Sequence, residues 1–144
     1  MAEQNYANHR RTVPLFHFVL LPLLLIAFIG SIVNVVQSLG DHERIYSAAL
    51  ILVLSFAGVL TAIFARIFAT KAQDRAIRAE ENLRHFAMTG KVLDARLSAL
   101  QIVALRFASD GEFLALAQRA AKDNMKPDDI KRAIKQWKLD DYRV

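Results

Sequence analysis

The sequence contains no cysteine. That excludes disulfides, thiolate metal sites, iron–sulfur clusters and a cysteine nucleophile. Membrane hairpins and packed helices need no disulfide, so this absence says little about compartment. Helix breakers are scarce, with five glycines and three prolines, and neither occurs at positions 59–89. Charge is missing from two long stretches. No Asp, Glu, Lys or Arg occurs at positions 12–40, and none at 45–65.

What is present is segregated accordingly. Apolar residues make up 54% of the chain and charged residues 23%, a mixture foreign to one globular core and natural for a membrane protein with a wet portion. From Arg66 onward, 16 basic residues face 11 acidic ones, which carries the whole net charge of +5. At 144 residues there is room for one domain at most, part of it committed to lipid.

The first apolar run, 13–39, exceeds the ~20 residues needed to span a bilayer. A secretory signal has an apolar core of about 7–15 residues followed by a small-residue cleavage site. Here the run is longer, and Asn34 and Gln37 stand where such a site would be, so the signal reading is rejected. The second run, 45–65, also meets the length requirement. The expected order is a tail at 1–11, a span at 12–39, a short external loop at 40–44, a second span at 45–65, its helical continuation at 66–89, and a small helical region at 90–144. The fold class is all-α, with a two-helix transmembrane hairpin and about three short helices after it.

Basic residues orient such a hairpin. Arg10 and Arg11 precede the first span, and Arg66, Lys71, Arg75 and Arg78 follow the second, against Arg44 alone in the loop. Both termini are therefore expected in the cytoplasm. The same side chains are candidates for contact with lipid headgroups.

Small residues suggest where helices meet. Gly30, Asn34 and Ser38 share a face of the first span; Ser55, Gly58, Ala62 and Ala65 share one of the second. Intramolecular packing and a partner-binding face both fit these stripes. Pro22, inside the first span, deprives the Phe18 carbonyl of its partner and should kink the helix. His17 is the one histidine within a span, a candidate axial ligand, yet its level near the interface lets it reach water or headgroups. No cofactor is expected.

Beyond the membrane, the second helix should run to Gly90, about 65 Å from residue 45 to 88. Ala65, Ala69, Ala72, Ala76, Ala79, Leu83 and Phe86 recur at heptad-like spacing. That seam serves either a second copy or the rest of the chain, and the second reading needs fewer assumptions. Three helices should follow. One, over 94–107, is apolar nearly all round, with Leu97, Leu100, Val103 and Phe107 as docking residues. The next starts at a Ser109–Glu112 capping box. The last opens at Pro127 and sets Ile130, Ala133, Ile134 and Trp137 on one face.

Catalysis requires a nucleophile, a tuned acid–base pair or a metal centre in one pocket. The carboxylate pairs Asp128–Asp129 and Asp140–Asp141 read as a helix start and a solvated terminus, so no enzyme is expected. Aromatic–basic platforms for nucleic acid are also missing. The segments NHRRTVPLFHFVLLPLLL, FARIFATKAQDRAIRAEENLRHF and DDIKRAIKQWKLDDYRV resemble an uncharacterised family of small bacterial two-span membrane proteins, known only as a domain of unknown function. The resemblance covers essentially the whole chain. It implies a bacterial cytoplasmic membrane and the same hairpin-plus-tail plan, and it brings no activity, cofactor or catalytic residue. The expected role is that of an accessory or scaffold subunit in a larger membrane complex, with lipid and other membrane subunits as partners. Self-association, as scaffold or pore, is the alternative, followed by a membrane-anchored lipid-surface or regulatory module.

Overall fold

A computed structural model describes residues 4–9 and 12–140. Its described residues are all-helical apart from turns and one isolated bridge between Ala108 and Trp137. A π-helical segment, Leu15–Leu20, leads into α1, Leu21–Gln37; α2 is His42–Thr89, α3 Ala99–Leu105, α4 Asp110–Lys122 and α5 Pro127–Ala133. The chain divides into two compact units, Thr12–Ala69 and the remainder.

In the unit Thr12–Ala69, α1 packs against the first part of α2. Proline explains the π segment. Pro22 has no N–H to close an i→i−4 bond, and just upstream the ladder runs in i→i−5 register, with Leu21 N–H donating to Phe16 O. The turn between the helices uses Gly40 at φ +92°, a conformation that disfavours side chains. Asp41 then caps α2, its Oδ1 accepting from Glu43 N at 3.1 Å and Arg44 N at 3.2 Å. Leu15–Gln37 and α2 are both long and apolar enough to cross a membrane.

The other unit is built from 4–9 and 70–140. α2 ends at Gly90, which takes φ +74° and donates its N–H to Phe86 O at 2.7 Å, the αL stop expected there. The helix expected over 94–107 is shorter. Residues 94–98 form a turn, and α3 begins behind a capping box made by Ser98 and Gln101. The Gln101 side chain also donates to Met125 O at 2.8 Å, tying α3 to the α4–α5 turn. That turn is a Schellman stop with Asn124 at φ +45° and Met125 N–H on Ala120 O at 3.1 Å.

Two expectations need correction here. Ser109 is the N-cap of α4, but its side chain does not cap the helix. Glu112 instead turns its carboxylate to Lys135 N (3.1 Å) and Gln136 N (2.9 Å). With those amides taken, the chain leaves α5 at Ala133 and becomes extended. Trp137 is therefore no part of a helix face; it bridges Ala108, with Lys138 N–H on Phe107 O at 2.7 Å. The core gathers Leu97, Leu105, Phe107, Phe113, Ile130 and Ile134, each at most 6% exposed.

Candidate functional site

The candidate residues named from the sequence lie mostly on helix faces. In the hairpin unit, the inward residues of α1 step by threes and fours through Leu24, Phe28, Ser31, Val35 and Ser38. On α2 they are Ala48, Leu52, Ser55, Gly58 or Val59, and Ala62. Leu24 Cδ2 would lie 3.4 Å from a Cβ at Gly58, so glycine lets the side chain of one helix lie on the backbone of the other. Phe28 and Phe56 add a ring contact at 5.8 Å. Of the small-residue positions, Ser38, Ser55, Gly58 and Ala62 lie on this internal seam. Gly30, Asn34 and Ala65 do not: all three are exposed, and nothing lies within 4 Å of a Cβ built at Gly30. Ser31 was missed because Gly30 and Asn34 suggested a phase one residue away.

His17 is held locally. Its Nδ1 lies 3.1 Å from Val13 N and 2.9 Å from Val13 O, and Phe16 packs edge-on at 5.2 Å. Those contacts occupy Nδ1 with the backbone of Val13.

In the other unit, Arg84 is the hub. Its guanidinium lies 4.2 Å over the Phe113 ring, pairs with Glu81 at 3.0 Å, donates to Ala108 O at 2.8 Å, and also binds Asp110. The Arg84 hydrogen bond, with its charge, holds the Asp110 carboxyl below the usual carboxylate range. Ile77 and Glu81, both 6% exposed, lie on the same side of α2.

The alanine seam was expected to be the dock for α3–α5, and this is corrected. Ala72, Ala76, Ala79, Leu83 and Phe86 are exposed, Leu83 by 67% and Phe86 by 52%. Docking uses Ile77, Glu81 and Arg84 instead. Among the apolar docking candidates, Leu97, Phe107, Ile130 and Ile134 are buried and Val103 and Trp137 half-buried, whereas Leu100 is 59% exposed. Lys71, Arg75 and Arg78 are exposed and Arg66 half-buried; Arg10 and Arg11 lie outside the described residues.

Sequence reading treated the N-terminal residues as a tail, and the structure folds them into the second unit. The Tyr6 hydroxyl donates to Asp128 at 2.7 Å and accepts from Arg132 at 3.1 Å. The hydroxyl, then the Arg132 charge, lowers the Asp128 carboxyl pKa. The His9 ring meets Trp137 at 5.9 Å and Phe107 at 6.0 Å, with Lys131 Nζ 3.2 Å from its Nε2. Gln4 accepts from Asp140 N at 2.8 Å. Tyr6 and His9 were the available signal, two ring side chains in a segment otherwise read as tail.

A groove of about 300 Å³ near the end of α2 is lined by His85, Lys91, Asp94 and Arg96 together with Leu93, Leu97 and Ala117. Its groups are paired internally: Asp94 with Arg96 at 2.7 Å, and His85 Nδ1 with Lys91 O at 2.6 Å. The Arg96 side chain holds the Asp94 carboxyl down at about 2. Among the described residues no group of three or more His, Cys, Asp or Glu is assembled to hold a metal.

No curated protein and no solved structure matches the chain. A family model does, over residues 1–144, and the chain belongs to that family, the family of unknown function DUF6526.

Proposed function

We propose that this member of a family without an assigned activity is a non-catalytic integral membrane protein that acts by assembly, as an accessory or scaffold subunit of a larger membrane complex. The carrying observation is the uncovered hairpin. Only 6% of the first apolar window and 11% of the second are buried, whereas a core helix of a soluble protein would be mostly buried. Side chains such as Leu15, Ile26, Leu54 and Phe68 are 63–72% exposed. Apolar surface on that scale calls for lipid or a partner, and helices meet lipid with their backbone bonds satisfied.

Sidedness has its own support. Residues 4–9, before the hairpin, pack with 70–140, after it, which fits both flanks lying on one side of a bilayer. Basic residues 66, 71, 75 and 78 argue that this side is the cytoplasmic one, and the family resemblance implies a bacterial inner membrane. Exposed Lys71, Arg75 and Arg78 also suit anionic headgroups, at about 1 kcal/mol each near the surface. Against catalysis stands the use already made of the polar groups: Glu81 and Asp110 hold Arg84, and Glu112 holds two backbone amides.

The test is purification of the tagged chain from its native membrane in mild detergent, with mass determination and identification of whatever accompanies it. Foreign subunits in fixed ratio support the accessory role, and a homo-oligomer supports the self-associating alternative. Recovery without detergent, or a lone monomer in detergent, overturns the reading.

A further inference from the structure

Residues 72–86 of α2 carry two opposed faces. One, through Ile77, Glu81 and Arg84, is occupied by the chain's own small domain. On the other, Ala72, Ala76, Ala79, Leu83 and Phe86 step by fours and threes and are all exposed. We propose that this second face is the seam of a parallel, two-stranded coiled coil with a second copy of the chain. This rests on the assembly reading above and specifies one partner for it.

Three features favour a second copy. Spacing of this kind keeps one apolar stripe facing a partner helix. Copies inserted in one membrane share their orientation, so their α2 helices meet in parallel. Charge then agrees. With Ala76 and Leu83 at a positions and Ala72, Ala79 and Phe86 at d, Arg75 is a g residue and Glu80 the e residue five positions on. A parallel pair sets those two opposite each other, twice by symmetry, whereas an antiparallel pair over the same stripe would set Arg75 beside Asn82 and lose the opposite-charge contact. Two heptads rich in alanine are too short to hold free peptides together, and confinement to one membrane supplies the effective concentration that solution would not. The bilayer itself is a poor occupant, because Leu83 lies roughly 25 Å along the helix beyond Arg66.

The natural absence of cysteine makes the test clean. Ala76→Cys and Leu83→Cys are compared in native membranes with Arg78→Cys, which lies away from the stripe, under mild oxidation of the full chain. A covalent dimer severalfold more abundant at positions 76 and 83 than at 78 is expected. Adding Arg75→Glu to Ala76→Cys should reduce the dimer, and adding Glu80→Arg as well should restore it. All three residues altered for charge or control are exposed, and because Glu80 borders a groove lined by Arg106 and Lys138, unchanged protease resistance of residues 90–140 checks that Glu80→Arg leaves the small domain folded. Equal yields at every position, no covalent dimer, or coupling only to a foreign chain overturns the proposal. If foreign subunits still co-purify in that case, the assembly reading stands without it; a lone monomer removes both.

Discussion

Tyr6 and Asp128 lie 122 positions apart and share a 2.7 Å hydrogen bond. The same hydroxyl accepts from Arg132, whose guanidinium also lies 5.1 Å from the Tyr6 ring centroid. One phenol thus closes the segment before the hairpin onto the domain after it. Tyr6→Phe keeps the ring and removes the hydroxyl's hydrogen bonds to Asp128 and from Arg132. The expected loss is about 1 kcal/mol of docking free energy, since the site is partly wet. Hydrogen exchange at residues 5–9 should rise while the amides of α4 stay protected. Unchanged exchange would mean that the ring alone holds the segment.

The hairpin seam makes a graded prediction at Gly58. A Cβ there would sit at ordinary contact distance from Leu24 Cδ2, so Gly58→Ala should be accepted and gain from alanine's better helix propensity. Gly58→Leu forces branched carbons into the same space and should cost about 1–3 kcal/mol by overpacking. Thermal unfolding in one detergent compares them. Equal midpoints for the two variants would show that α1 and α2 do not meet at this position.

These sites differ in how well the sequence announced them. Gly40, Gly90 and Pro127 are punctuation whose meaning is local, so the turn, the end of α2 and the start of α5 were readable without knowing what packs where. Faces were harder. On 66–89, alanine offers little contrast between sides, and the stripe ending at Leu83 and Phe86 looked like the inner one. In fact the inner side holds Glu81, which is buried, and Arg84, which is half-buried, paired with each other. Hydropathy cannot register that. Ser109 and Glu112 had the right spacing for a capping box, but Glu112 is used across space by Lys135 and Gln136; the box that does form, Ser98 and Gln101, carried the same signature and was masked by the apolar run around it.

Acid should loosen the small domain through Asp110. Bound to Arg84, its carboxyl has a pKa below the ordinary 3.8. The folded form thus binds its proton less readily than the unfolded chain, so the contribution is complete above that ordinary value. It is lost as pH falls through the folded pKa beneath it. Unfolding midpoints followed from neutral pH to about 3 should drop, and Asp110→Asn should flatten part of the drop below about pH 4. A variant with an unaltered acid limb would assign that limb to other carboxylates, among them Asp94 and Asp128.

Phe113 is where the core and the polar hub coincide. Its ring is fully buried, with the Arg84 guanidinium on its face and His85 edge-on at 6.2 Å. Phe113→Ala removes the apolar volume and leaves Arg84 over a void, still tied to Glu81 and Asp110. Truncating a buried phenylalanine costs about 3–5 kcal/mol, a large share of what a domain of this size has. Phe113→Leu keeps most of the volume and loses the π face, so it should fall well short of that cost. The expected result is a small domain cleaved readily by protease at 90–140 in the alanine variant, with the hairpin still extracted by detergent in normal yield. If Phe113→Ala instead abolished membrane extraction, hairpin insertion would depend on the small domain.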